Sequence, residues 1–143
     1  MKVPVKKLRP DALLPTRGSE DAAGADLYAV ETVAIPAGGT ALIHTGLSME
    51  IPKGYGGFIF ARSGLATKRG LAPANKVGVV DADYRGEIMV SLFNQSGTEQ
   101  TVERGERVAQ MVLLPCLAAD FIETDALSDT ARGAGGFGST GRK

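Results

Sequence analysis

Short runs of alternating residues, cut at close intervals by glycine and proline, constrain this chain more than any other feature. Ile43, Thr45, Leu47, Met49 and Ile51 alternate with His44, Gly46, Ser48 and Glu50. Ile88, Val90 and Leu92 alternate with Met89, Ser91 and Phe93, and Val108, Gln110, Val112 and Leu114 with Ala109, Met111 and Leu113. A period of two belongs to strands, and where both alternating sets are apolar, as in the last two runs, it predicts a strand buried on both faces. Turn signals lie between the runs: PAGG (36–39), PKGYGG (52–57) and DADYRG (81–86). Together these predict an all-β sandwich or barrel-like domain. Only SGLATKRG (63–70) reads as helix, with Ser63 placed to cap its start and Gly70 to end it. From Ser128 to Lys143 the periodicity stops, Phe137 is the one large apolar residue, and five of the last twelve residues are glycine. The expected organisation is therefore one β domain over 1–127 and a glycine-rich arm over 128–143 that buries too little surface to order itself.

Composition removes whole classes of function. Sixteen Lys and Arg balance sixteen Asp and Glu, and binders of nucleic acid or anionic membrane need a cationic excess on one face. No run of 18 apolar residues exists, the length that marks a membrane-spanning helix. The opening MKVPVKKLRPDALLP lacks the continuous apolar core of a secretory signal. The single Cys116 has no internal disulfide partner, which fits a reducing compartment, so the expected location is cytoplasmic. One Cys and one His, His44, cannot build a Cys/His zinc site. His44, in the alternating stretch TALIHTGLSM, reads as structural, and Cys116, inside LLPCLA, as a small buried hydrophobe.

Several motifs carry possible chemistry, each beside a plainer reading. GAGGFG (133–138) has glycines spaced as in a dinucleotide fingerprint, but no strand precedes it and too few residues follow to make a helix. An arm holding Arg132, one aromatic and many free N–H groups could instead close over a phosphorylated ligand, or be a solvated terminus. ARSGLATKRG (61–70) sets Arg62 and Ser63 at a helix start, where free N–H groups and an arginine suit phosphate; an ordinary capped helix with a surface arginine is the plainer reading of the segment alone. In VGVVDADYRGEI (77–88) a strand runs into Asp81, Asp83, Tyr84 and a glycine turn. Turn chemistry accounts for the aspartates, less so for a large ring. Asn75 in PANKVG can both donate and accept, so it suits either a base edge or a turn. Asp26 in AAGADLYA and Gln110 in GERVAQMVLLP are polar residues in apolar surroundings that need partners.

In order along the chain, AGADLYA, ARSGLA, NKVGVVDADYRGEI, GERVAQMVLLP and RGAGGFGSTG resemble the five motifs of the trimeric deoxyuridine triphosphatases, a likeness spanning roughly residues 3 to 141. The resemblance implies a β jelly roll with one short helix, a homotrimer whose active sites draw on all three chains, and Mg²⁺-assisted hydrolysis of dUTP to dUMP and pyrophosphate. Such a reaction keeps uracil out of DNA and supplies dUMP for dTMP synthesis. By the same resemblance Asp81 activates the water that attacks the α-phosphorus, while Asp83 is not the base. Tyr84 packs on the deoxyribose and excludes a 2′-hydroxyl. The 75–81 hairpin forms the uracil pocket, with Asn75 and the main chain of Gly78, Val79 and Val80 reading the base and Met89 lining it. Arg62, Ser63 and Gly64 bind phosphate with Gln110 nearby, and Asp26 meets the metal's water shell. From the arm, Arg132 reaches the γ-phosphate, Phe137 stacks on uracil, and Gly138, Ser139 and Thr140 add phosphate contacts. Ala25 and Ala61 depart from the family pattern, where an aromatic and a proline are common. A dCTP deaminase would share the fold and trimer but needs a differently placed glutamate. A non-catalytic nucleotide-binding jelly roll would be marked by degraded motifs.

Overall fold

A computed structural model of the chain describes residues 1–136. Eleven strands and one helix follow in order: β1 (Val5–Lys7), β2 (Ala25–Tyr28), β3 (Val33–Ile35), β4 (Thr40–His44), β5 (Leu47–Met49), β6 (Tyr55–Phe60), α1 (Ser63–Arg69), β7 (Leu71–Pro73), β8 (Gly78–Val80), β9 (Met89–Asn94), β10 (Gln100–Val102) and β11 (Arg107–Pro115). The chain is thus mostly β, as the turn spacing predicts. A four-stranded sheet has the order β2-β11-β6-β8 and a three-stranded sheet β4-β9-β7, while β1 pairs with β5 and β10 with β3. Every pairing is antiparallel.

The sheets close on a core that includes Leu27, Ile35, Ile43, Leu47, Leu71, Ile88, Leu92, Val102 and Val108, all sealed from solvent. Asn94 is a polar hub inside it. Its Nδ2 donates to the carbonyls of Ile35 (2.9 Å), Pro36 (3.2 Å) and Thr98 (2.8 Å), and its Oδ1 accepts from the Ser96 N–H (3.0 Å) and hydroxyl (2.7 Å). Satisfied this way, a buried amide ties two turns to one strand end instead of costing its desolvation.

Five local expectations are corrected. The alternating run 43–51 is two strands, not one: Gly46 adopts a positive φ of 66° and turns a corner between β4 and β5. Within β9 and β11, consecutive buried residues are confined to Val108 and Ala109, where a register shift in the β11–β2 pairing turns adjacent side chains inward. Elsewhere β9 buries one face fully and the other partly, while β11 emerges to solvent at Leu114 and Pro115. Ser63 is the first helical residue, and the cap position falls on Arg62, whose side chain makes no capping bond; Gly70 does close the helix in the left-handed conformation. Cys116 is exposed, because the chain leaves the sheet at Pro115, although the Cys116 N–H still donates to the Gly54 carbonyl at 2.8 Å. Finally, the 75–81 segment is no hairpin. β7 and β8 belong to different sheets, as do β8 and β9, so both connections run from one sheet to the other.

Candidate active site

The β2, β6 and β11 motifs meet in one cluster. Asp26 on β2 lies opposite Gln110 on β11, which lies opposite Phe60 at the end of β6. This adjacency brings the Asp26 carboxylate, only 15% exposed, against Arg62: Arg62 Nε donates to Oδ1 at 2.8 Å, and Arg107 Nη1 donates to Oδ2 at 3.2 Å. Arg107 also supplies its carbonyl to Arg62 Nη1 at 3.3 Å. Gln110 Nε2 donates to the Ala61 carbonyl at 2.9 Å, so its immediate role is to hold the start of the Arg62–Ser63–Gly64 loop. A Cβ on Gly24 would fall 2.7 Å from Gln110 Oε1, so only glycine leaves that amide in place. Ser63 and Gly64 are exposed at the helix start, whose first N–H groups lack intrahelical partners. The cluster is a cationic, donor-rich surface matched to phosphate oxygens.

Asp26 is the one carboxylate in this cluster, and each of its oxygens has one arginine partner. A carboxylate oxygen has room for a second, so Asp26 fits a metal-bound water rather than a bare ion. Among the described residues no group of three or more His, Cys, Asp or Glu could hold a metal by itself. That donor set fits Mg²⁺ carried mainly by phosphate oxygens.

The remaining motif residues sit on and beyond β8. Among the described residues this strand is a sheet edge paired only with β6, so the outward N–H and C=O groups of the Gly78–Val80 segment are unused by the sheet. Val79 projects outward while Gly78 and Val80 face the core. Asn75 is exposed in the preceding turn, its Nδ2 near Gly78. Asp81 follows the strand, exposed, with no side-chain hydrogen bond or ion pair among the described residues. Its carbonyl accepts from the Tyr84 N–H at 3.2 Å to close the turn. Asp83 instead lines a separate cleft of ≈ 510 Å³ with Glu50, Lys53 and Arg85. Met89 begins β9 in the other sheet, opposite His44.

Tyr84 lies across the backbone of Gly86, where a Cβ would come within 2.4 Å of its hydroxyl, and that hydroxyl donates to the Glu87 carbonyl at 3.0 Å. Glu87 in turn grips the β4–β5 corner. Its Oε1 accepts from the Gly46 N–H at 2.8 Å and its Oε2 from His44 Nδ1 at 2.9 Å. An ionised carboxylate only accepts, so Nδ1 carries the hydrogen. Burial pushes the Glu87 carboxyl up, but the hydrogen bonds from His44 and Gly46 outweigh it and hold the group below the usual glutamate range.

The two halves are not adjacent within one chain. The register sets Val80 against Gly57, so Asp81 falls beside Gly56, whereas Arg62 lies beyond Phe60 at the other end of β6. Gly56 to Phe60 alone spans ~13 Å at the rise of a strand. Arg132 is exposed, its Nε donating to the Gly135 carbonyl at 2.8 Å. Phe137, Gly138, Ser139 and Thr140 lie outside the described residues. A groove of ≈ 550 Å³ lined by Met1, Val3, Val5, Met49 and Leu113 contains none of the motif side chains proposed to bind substrate.

A family model described as dUTPase matches residues 11–141. The chain belongs to the dUTPase family. It is accordingly an enzyme. The deoxyuridine 5′-triphosphate nucleotidohydrolase of Nautilia profundicola is 49% identical over 142 residues, covering 99% of this chain and 100% of that protein. That of a Hydrogenobaculum species is 49% identical over 144 residues, covering 100% of both. Among solved structures, the dUTPase of Staphylococcus bacteriophage 80alpha with dUpNHpp has a TM-score of 0.92 at 28% identity and 98% coverage of both chains.

Within this dUTPase-family site, Arg107, Gly24, Gly86 and Glu87 escape a reading of the sequence alone. Arg107 left one faint signal, an arginine at the start of an otherwise apolar strand inside a motif. The other three act through close approach or long-range pairing, which no local pattern reports.

Proposed function

We propose that the chain hydrolyses dUTP to dUMP and pyrophosphate with Asp81 as the base that orients and deprotonates the attacking water. The observation that carries this reading is the contrast between the carboxylates. Asp26 is locked by two arginines, and Asp83 faces another cleft. Asp81 has no side-chain partner among the described residues and stands at the end of an edge strand whose main chain is available to a base. A base must be unencumbered to take a proton, and carboxylates do so effectively once positioned.

Uracil would lie along β8, read by Asn75 and the main chain of Gly78, Val79 and Val80, with Met89 lining the pocket. The Tyr84 ring then blocks the space a 2′-hydroxyl needs, and a rigid wall suffices for such rejection. Arg62, Ser63, Gly64 and Gln110 bind the phosphates. Mg²⁺ held by those phosphates, with Asp26 on its water shell, would screen the triphosphate charge. Arg132, Phe137, Gly138, Ser139 and Thr140 close the site from the arm, which excludes water and steadies the phosphates. The separation of Asp81 from Arg62 along β6 supports sites shared between subunits of a jelly-roll homotrimer. So do Leu117, Phe121, Ile122 and Leu127, nearly bare on a segment without strand partners.

Pyrophosphate release from dUTP, dCTP and UTP with Mg²⁺ tests the reading. Product from dUTP alone supports it, ammonia from dCTP points to a deaminase, and binding without turnover points to a non-catalytic relative. In the same assay Asp81→Asn should keep dUTP affinity while lowering kcat about 10²-fold or more. Normal turnover would remove Asp81 from the role.

A further inference from the structure

Residues 81–88 join two sheets without strand pairing of their own. A connection of this kind is mobile unless tied down, yet it carries both Asp81 and Tyr84. Four ties reach it from the β4–β5 corner. The Ser48 hydroxyl donates to the Arg85 carbonyl (2.8 Å) and the Thr45 hydroxyl to the Ile88 carbonyl (2.5 Å). The Ile88 N–H donates to the Leu47 carbonyl (2.7 Å). The fourth is the Glu87 side chain, the only one that is charged and two-pronged. Charge-assisted bonds are the stronger kind, and its Gly46 partner is a buried N–H with no ladder to join.

We infer that Glu87 is a positioning residue for the reaction: by gripping Gly46 and His44 it fixes the loop that presents Asp81 and Tyr84. The inference rests on the roles proposed above for those two residues. The connection is short and covalent. The same residue whose side chain holds the corner offers its carbonyl to the Tyr84 hydroxyl, and the Tyr84 N–H closes the turn on Asp81. A shift at Glu87 therefore moves the acceptor that sets the ring, and the ring sets the wall against ribose.

Glutamine can keep both prongs, its amide oxygen accepting from Gly46 and its amide nitrogen donating to the other tautomer of His44. Alanine keeps neither. The test compares wild type, Glu87→Ala, Glu87→Gln and His44→Ala as full-length proteins with Mg²⁺. It measures kcat and KM for dUTP, the ratio of kcat/KM between dUTP and UTP, and circular dichroism as a check of folding. Positioning loss should appear in kcat: Glu87→Ala falls about tenfold or more and narrows the dUTP-to-UTP ratio by a similar factor, while KM moves less than about threefold. Glu87→Gln should recover most of both, and His44→Ala should lie between. A folded Glu87→Ala with wild-type kcat and ratio overturns the inference. Should Glu87→Ala not fold, a folded His44→Ala with unaltered kcat and ratio overturns it instead. A wild-type protein inert on dUTP would sink the roles of Asp81 and Tyr84 and the inference with them, so the two failures are told apart.

Discussion

Gly86→Ala isolates the Tyr84 ring with one carbon atom. Gly86 does not use a positive φ, so alanine strains no backbone and the whole effect is steric. Its Cβ would lie 2.4 Å from the Tyr84 hydroxyl oxygen, 2.5 Å from Cζ and 2.9 Å from Cε2, against the 3.4 Å at which ordinary contact begins. The end of the ring must therefore retreat by about 1 Å, the difference between 3.4 and 2.4 Å. It can do so because Tyr84 is 42% exposed and swings outward. The hydroxyl then loses its 3.0 Å bond to the Glu87 carbonyl. That loss costs about 1 kcal/mol, little enough for the fold to persist. Function is more sensitive, since a displacement of about 1 Å near reacting groups can cost about 10²-fold. Pyrophosphate release from dUTP and UTP should show kcat/KM for dUTP falling by up to that factor, with UTP falling less, so that selectivity narrows. Gly86→Ala protein that prefers dUTP as strongly as wild type would show that the position of this ring does not exclude ribose.

Other consequences are simpler to check. Asn94→Ala should destabilise the fold by about 3 kcal/mol, because it strips buried carbonyls of their donor; urea unfolding at matched protein concentration measures this, and a loss below about 1 kcal/mol would demote Asn94 from its place as a hub. Glu87 has its carboxyl held below its ordinary 4.5 in the folded state, so on acidification the unfolded chain binds the proton first. Its stabilising contribution is complete above that ordinary value and is lost as pH falls through the folded one. Glu87→Gln should accordingly lose stability less steeply than wild type across the acid range, and parallel acid-unfolding curves would contradict the assignment. Removing residues 132–143 should leave circular dichroism and unfolding unchanged while abolishing most dUTP turnover, since the described part of the chain beyond Leu113 adds nothing to the core. A truncated protein that turns over normally would leave the arm without a catalytic role.

The strand content, the turn at 36–39, the close of the helix at Gly70 and the order of the five motifs all follow from the sequence by itself, whereas PKGYGG (52–57) is a turn only as far as Tyr55, where β6 begins. They rest on short-range physics: a period of two, a residue tolerant of positive φ, a motif spaced within a dozen positions. Pairing is different in kind, because which strands meet depends on the packing of the whole chain. Nothing near Glu87 announces that it will hold Gly46 some forty residues earlier. Likewise no local pattern says that Asp26 will be shared by Arg62 and Arg107, or that residues 75–81 will run between sheets instead of forming a hairpin. Gly86 reads as a turn residue until the Tyr84 side chain is seen lying where a Cβ would be, and nothing in AAGADLYA marks Gly24 as leaving room for Gln110. Composition and periodicity thus decided what kind of domain this is, while tertiary packing decided which side chains meet, Asp26 with its two arginines and Glu87 with Gly46 and His44.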